Sequence, residues 1–181
     1  MLQIIVPGGE YFDEDKQEFF QKSEQKLNLE HSLVSISKWE SKWHKPFLSD
    51  RYPKTDTEVI DYIRCMTTTQ NVDPLVYTRL SNNNLEAINS YINDKMTATW
   101  FNEIGNHKSS SEVLTNELIY YYMFTFGIPI ECQKWHLNRL LTLIRIFVEK
   151  NKPPRKMSKN EAIRKQRELN AKRRQAWKSN G

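Results

Sequence analysis

Hydrophobic and polar positions alternate at the start of the chain, in two short stretches. Leu2-Gln-Ile-Ile-Val6 reads as a strand ended by Pro7-Gly8-Gly9, and Leu27 and Leu29 stand at every second position in a candidate second strand. Two strands alone are marginal, so they must pack on helices. From Leu33 the period changes. Leu33, Ile36, Trp39 and Trp43 recur at helical spacing and make one apolar face, with Pro46 predicted to stop the helix by disfavouring helical geometry at Lys45. Thr55-x-x-Glu58 is a capping box that opens a helix with Val59, Ile60, Ile63 and Met66 on its apolar face. Asp73-Pro74 is a helix start signal. Ser81 or a following Asn caps another helix, with Leu85, Ile88 and Ile92 on one side.

The second half is richer in helix. A polar connection holding Trp100 and Phe101 leads to a run of serines with Glu112 close behind, which predicts a helix closed by Gly127 and Pro129. From Leu118 to Phe126 this helix is apolar nearly all round, the pattern of a central helix. A further helix is predicted from Glu131 to Lys150. Joined through Gly127-Ile-Pro-Ile130, the two would form a core hairpin. Pro153-Pro154 then breaks the chain, and Ser158-x-x-Glu161 opens a last helix with only a thin apolar stripe. The expected fold is therefore mainly α: a helical domain over residues 1–150 with a small N-terminal β element, and a proline-linked basic helical tail over residues 151–181.

Charge sharpens this division. The 181 residues carry a net +5, but from Lys150 onward 12 Lys or Arg face 2 Glu, whereas residues 1–149 carry 15 against 20 acidic residues. An acidic body thus bears a basic tail. Such a tail suits an anionic partner, or it is simply a solvated helix. Within it, Arg164, Arg167, Lys172, Arg173 and Arg174 are candidate electrostatic contacts. Trp39, Trp43 and Trp135 are candidate protein-binding anchors, with core packing as the competing role. No apolar stretch is long enough for a membrane span, and the first residues lack the basic start of a signal peptide.

Catalytic chemistry finds little purchase. Cys132 and His136 would share a helix face, as half of a metal site or as a thiol–imidazole pair. The other ligand types, Cys65, His31, His44 and His107, are scattered, and two cysteines make no disulfide framework. None of the five glycines falls in a phosphate-binding loop. Glu10, Asp13, Glu14 and Asp15 cluster without a calcium-loop spacing and read as a solvated acidic face. The expectation is a non-enzymatic protein with no cofactor and no metal.

Several stretches resemble the successive motifs of one family: LEHSLVSISKWESKWHKPF (29–47), MTATWF (96–101), ECQKWHLNRLLTLIR (131–145), PPRKMSK (153–159) and ELNAKRRQ (168–175). The family comprises small proteins of bacteriophages with long non-contractile tails that infect Gram-positive hosts. The resemblance implies a tail assembly chaperone, located in the host cytoplasm, that binds the tape-measure protein, the tail-tube protein or both. It carries no catalytic residues. Self-association is compatible with this reading. The rivals are a virion structural component, of the tail or the head–tail joint, and a nucleic-acid-binding accessory protein acting through the basic tail.

Overall fold

The alternation at the N-terminus has a structural counterpart in a buried strand pair. The computed structural model describes residues 1–13, 17–101, 113–152 and 159–177. In it β1 (Leu2–Val6) pairs antiparallel with β4 (Gln25–Leu29), with Ile4 opposite Leu27 and Leu2 opposite Leu29. Ile4, Val6, Leu27 and Leu29 are buried, while Ile5 on the other face is exposed. Both edges of the pair are occupied. Asn84 donates its Nδ2–H to Ile5 O on the β1 side. On the β4 side Asn28 bonds Thr68 and Thr69. Occupied edges are protected from pairing with another chain.

Between these strands lies a hairpin that the sequence pattern does not predict. β2 (Gly9–Asp13) pairs antiparallel with β3 (Glu18–Lys22). Its sequence lacks the alternation of a half-buried strand, and Phe19 is exposed. The base is fixed from outside the hairpin. The Arg79 guanidinium donates to both Pro7 O and Ser23 O, and Lys22 pairs with Asp73 at 2.7 Å. A Cβ at Gly8 would stand 2.6 Å from Lys22 O, so the two chain passages meet there only because position 8 is glycine. Of the acidic cluster, Glu14 and Asp15 lie outside the described residues.

The helices follow their caps. α1 (Leu33–Trp43) starts at Ser32 in a capping box with Ser35, and α2 (Asp56–Met66) starts at the expected box of Thr55 and Glu58. α1 ends at Trp43, and its cap His44, two residues before Pro46, takes the left-handed conformation with φ 52°. A 3-10 helix (Pro74–Arg79) follows the Asp73 cap, and α3 (Asn82–Asn93) follows Ser81. The buried faces are rotated from those expected. On α2, Glu58, Asp61 and Tyr62 join Ile63 and Met66 inside, while Val59 is exposed. On α3, Asn84 and Tyr91 accompany Ile88. In both helices, buried polar side chains take positions that hydrophobicity alone assigns to the surface.

The C-terminal half departs further from expectation. α4 (Asn116–Thr125) begins at Thr115, later than the serine run suggests, and Glu112 lies outside the described residues. The start is set where the Glu40 carboxylate accepts the Asn116 backbone N–H (2.8 Å) and side-chain amide (2.6 Å). A negative charge at a helix N-terminus is favourable. Only Asn116, Ile119 and Met123 of α4 are buried, so it is a flanking helix packed on α1, not a central one. It ends in a Schellman turn: Ile128 N–H donates to Met123 O and Gly127 N–H to Phe124 O, with Gly127 at φ 63°. Gly127→Ala should cost about 1 kcal/mol, because an L-residue is strained in the left-handed region. Urea denaturation checks this, and an unchanged midpoint refutes it.

The continuous helix expected from Glu131 is two elements. A 3-10 helix (Ile130–Lys134) gives way to extended backbone at Trp135, and α5 (Leu137–Asn151) begins only after His136. The break arises because His136 bridges to Ser32 and Leu137 N–H donates to His31 O, both interstrand-like bonds that a helix cannot make. α1 is the hub of the packing, touching α2, α4 and the second 3-10 helix. The predicted α4–α5 core hairpin is replaced by this arrangement.

The fold is thus mainly α with a small N-terminal β element. The chain divides into two compact units, Met1–Phe147 and Val148–Gly181. The second holds the end of α5 and the basic α6 (Lys159–Trp177). The expected proline stiffening and the Ser158 cap fall in residues 153–158, outside the described residues.

Candidate protein-binding surfaces

The tryptophans of α1 point inward. Trp39 is 1% exposed, donates its Nε1–H to Glu58 O (2.9 Å) and packs edge-on to Phe47. It is a core side chain and offers no surface to a partner. Trp43 is half-buried, with Nε1–H donated to Asp61 Oδ2 (2.8 Å), and Lys42 pairs with the other oxygen of that carboxylate (2.5 Å). Burial works to raise the Asp61 carboxyl, but the Lys42 and Trp43 hydrogen bonds outweigh it and hold the group below its ordinary value. Glu58 is likewise held low, by its bond from Lys45 and by the Thr55 backbone N–H. These contacts fasten α1 to α2. Trp135 is half-buried, with the Arg139 guanidinium 4.2 Å from its ring centroid.

Arg164, Arg167, Lys172, Arg173 and Arg174 are all exposed on α6, as are Ile163, Leu169 and Trp177. Arg164 lies 4.0 Å from Glu168, one turn away. The helix carries a charged surface and a sparse apolar one, and its side chains gain little from their own element.

Cys132 and His136 do not form a reactive pair on one helix face. Cys132 is buried in the second 3-10 helix, and His136 lies beyond the extended residue. His136 Nε2 bonds Tyr91 O (3.0 Å) and its Nδ1 accepts the Asn138 N–H (3.3 Å). That geometry requires the proton on Nε2, since a carbonyl only accepts. The His31 ring packs against that of His136 at a centroid separation of 5.1 Å, and its Nδ1 bonds the Tyr62 hydroxyl. Burial, with a smaller contribution from His136, pulls His31 down to about 4. Burial pushes the Tyr62 hydroxyl up; burial and then the Glu30 hydrogen bond do the same to Tyr91. The cluster is a buried, hydrogen-bonded core. Burial also raises the Cys65 thiol, which disfavours its nucleophilic form. Among the described residues no three His, Cys, Asp or Glu gather at a spacing that would hold a metal ion. No helix among them is long and apolar enough to cross a membrane.

Two surfaces emerge that periodicity does not assign to binding. Along α4, Tyr121 is 61% and Phe124 69% exposed, one turn apart on the side opposite the buried Ile119 and Met123. The all-round apolar pattern of this helix is the signal for it: one face serves the core and the other is open. The second surface is a groove of about 470 Å³ between the loop after α3 and α5, lined by Trp100 and Phe101. Those two aromatics in a polar connection are its only trace in the sequence.

No family model matches the chain, and neither a curated protein nor a solved structure matches it.

Proposed function

We propose that this chain is a non-enzymatic binding protein of bacteriophage tail assembly, a chaperone that holds the tape-measure or tail-tube protein until the tail forms around it. The observation that carries the reading is the exposed aromatic face of α4, where Tyr121 and Phe124 stand on a helix otherwise anchored by Glu40, Ile119 and Met123. Exposed aromatics on a rigid element are suited to docking an amphipathic helix, and a tape-measure protein is long and helical. The resemblance of the motifs over most of the chain supports the choice of partner. The charged exterior suits release once assembly buries the partner elsewhere.

Co-expression with a tape-measure protein is the direct test. The chain should co-purify with it and raise its soluble yield; failure of both removes the chaperone reading. The double substitution Tyr121→Ser and Phe124→Ser should weaken capture by about tenfold or more, a loss of roughly 1.4 kcal/mol or more, with thermal stability unchanged because neither side chain is buried. Isothermal titration and a melting curve measure the two effects. The exposed cations of α6 favour a second reading, a nucleic-acid-binding accessory protein. Binding of that kind would fall steeply with salt and vanish when Arg164, Arg167, Lys172, Arg173 and Arg174 are neutralised. A third reading, a virion structural component, requires stoichiometric copies in purified particles by mass spectrometry.

A further inference from the structure

The groove beside α5 differs in character from both the α4 face and α6. Trp100 is 77% exposed, and the Lys95 Nζ lies 4.3 Å from its ring centroid. Arg145 Cζ lies 4.1 Å from the Phe101 ring centroid. Leu141 and Thr97 also line the groove, and the Thr97 hydroxyl accepts the Thr99 N–H (3.1 Å). The loop is held in place: Asn138 on α5 donates its side-chain amide to Ile92 O (3.0 Å) and Asp94 O (2.7 Å). These bonds tie the start of the loop, next to Lys95, to α5, and pre-organisation of that kind lowers the entropic cost of binding.

Among the described residues the lining of the groove carries charge of one sign. Among the described residues, the lining carries two cations and no carboxylate, and neither cation is paired with one. Residues 1–149 meanwhile carry 15 basic against 20 acidic residues, so the groove is a local positive site on an acidic body. Such a field attracts a short anionic segment but repels a long polyanion beyond the groove. A volume of about 470 Å³ falls in the usual range of preformed binding pockets. Each cation meets one face of its ring, Lys95 at Trp100 and Arg145 at Phe101, which gathers positive charge at the aromatic wall where a carboxylate can pair with it.

We propose that this groove is a peptide-binding site for a short acidic segment with an apolar or aromatic anchor. Lys95 and Arg145 pair with its carboxylates, Leu141 and the edges of Trp100 and Phe101 receive the anchor, and Thr97 bonds its backbone. The site stands on its own geometry, whether or not the chain serves tail assembly.

Fluorescence anisotropy with a labelled synthetic peptide of alternating Glu and Leu around one Phe tests the proposal. The α6 cations would also attract such a peptide. The full chain is therefore used with Arg167, Lys172, Arg173 and Arg174 each changed to Gln. The acidic peptide should bind, weaken as salt rises, and lose about tenfold or more in affinity on Trp100→Ala or on Lys95→Glu with Arg145→Glu. Circular dichroism should show each variant folded. The charge-reversed Lys peptide should not bind. The site is refuted if the acidic peptide fails to bind this background, if the Lys peptide binds equally, or if the groove variants leave binding unchanged. Tighter binding of single-stranded oligo-dT that is lost in the same variants also overturns it, in favour of a nucleic-acid site.

Discussion

Glu40→Ala should lower the free energy of unfolding by about 3 kcal/mol and the melting temperature by roughly 6–12 °C. The Glu40 side chain, on α1, accepts from two other parts of the fold. Its Oε1 takes the Phe47 backbone N–H at 2.7 Å, and its Oε2 takes both the backbone N–H and the side-chain amide of Asn116. Phe47 in turn packs against Tyr62 and meets Trp39 edge-on. Removing the carboxylate leaves three donors without an acceptor where the parent group is only 7% exposed. Each buried, unsatisfied donor costs about 1–3 kcal/mol, but the three will not add fully. A pocket of about 410 Å³ opens beside Glu40, and water entering it would replace part of the loss. Glu40→Gln should fall between wild type and alanine, since an amide offers one accepting oxygen and turns its own donors toward another N–H. Urea denaturation of the three proteins decides the matter. A loss under about 1 kcal/mol for alanine would mean that water, not the carboxylate, is sufficient at this junction.

Acidification should destabilise the protein in a window set by His31, between about pH 6.5 and pH 4. The folded-state imidazole is pulled down to about 4, from an ordinary 6.5 in the unfolded chain. Between those values the unfolded chain binds the proton and the folded one does not, so stability rises with pH across the window. The contribution is fully present above about 6.5, is lost as pH falls toward 4, and changes no further below that. At about 1.36 kcal/mol per pH unit the span amounts to roughly 3 kcal/mol. The groups facing His31 are the Tyr62 hydroxyl and the His136 ring, and neither is an anion that would hold the imidazolium. The carboxylates held low, Glu58, Asp61 and Asp73, act below this window as they protonate. Two measurements check the assignment. The His31 ring followed by NMR in the intact protein should titrate well below pH 6. His31→Gln should flatten the stability profile between about pH 4.5 and pH 6.5. A ring that titrates near its ordinary value would sink the idea.

The helix starts and the strand pair of the first half were legible from local signals, although the buried faces of α2 and α3 were not. Thr55, Asp73 and Ser81 all accept backbone N–H groups at the helix starts, and period two places Ile4, Val6, Leu27 and Leu29 inward. What escaped the pattern depends on long-range contacts. The β2–β3 hairpin is fastened by Arg79 and Asp73, far along the chain. The start of α4 is set by Glu40, and the break before α5 by His31 and Ser32. No window of a dozen residues contains both partners of any of these. The candidate surfaces were less legible. Trp39 has the spacing of either an anchor or a core residue, and only three-dimensional burial separates them. Tyr121 and Phe124 sit in a run so apolar that no open face stands out from composition. Lys95 and Arg145 become neighbours of the same groove only once Asn138 ties the α3 loop to α5.

The strand pairing near the N-terminus makes the hairpin separable from the core. The chain leaves the buried sheet at Val6 and re-enters it at Gln25, directly opposite, so the intervening passage begins and ends at one place. The Gly8 close approach and the Arg79 and Lys22 bonds fix it at the base. Rungs beyond the Gly9–Lys22 pair can therefore be removed two residues at a time, or a reporter sequence spliced between them, at the modest entropic cost of changing a closed loop. That is a route for attaching a fluorophore or affinity handle to this protein while leaving its α4 face, its groove and both chain ends untouched.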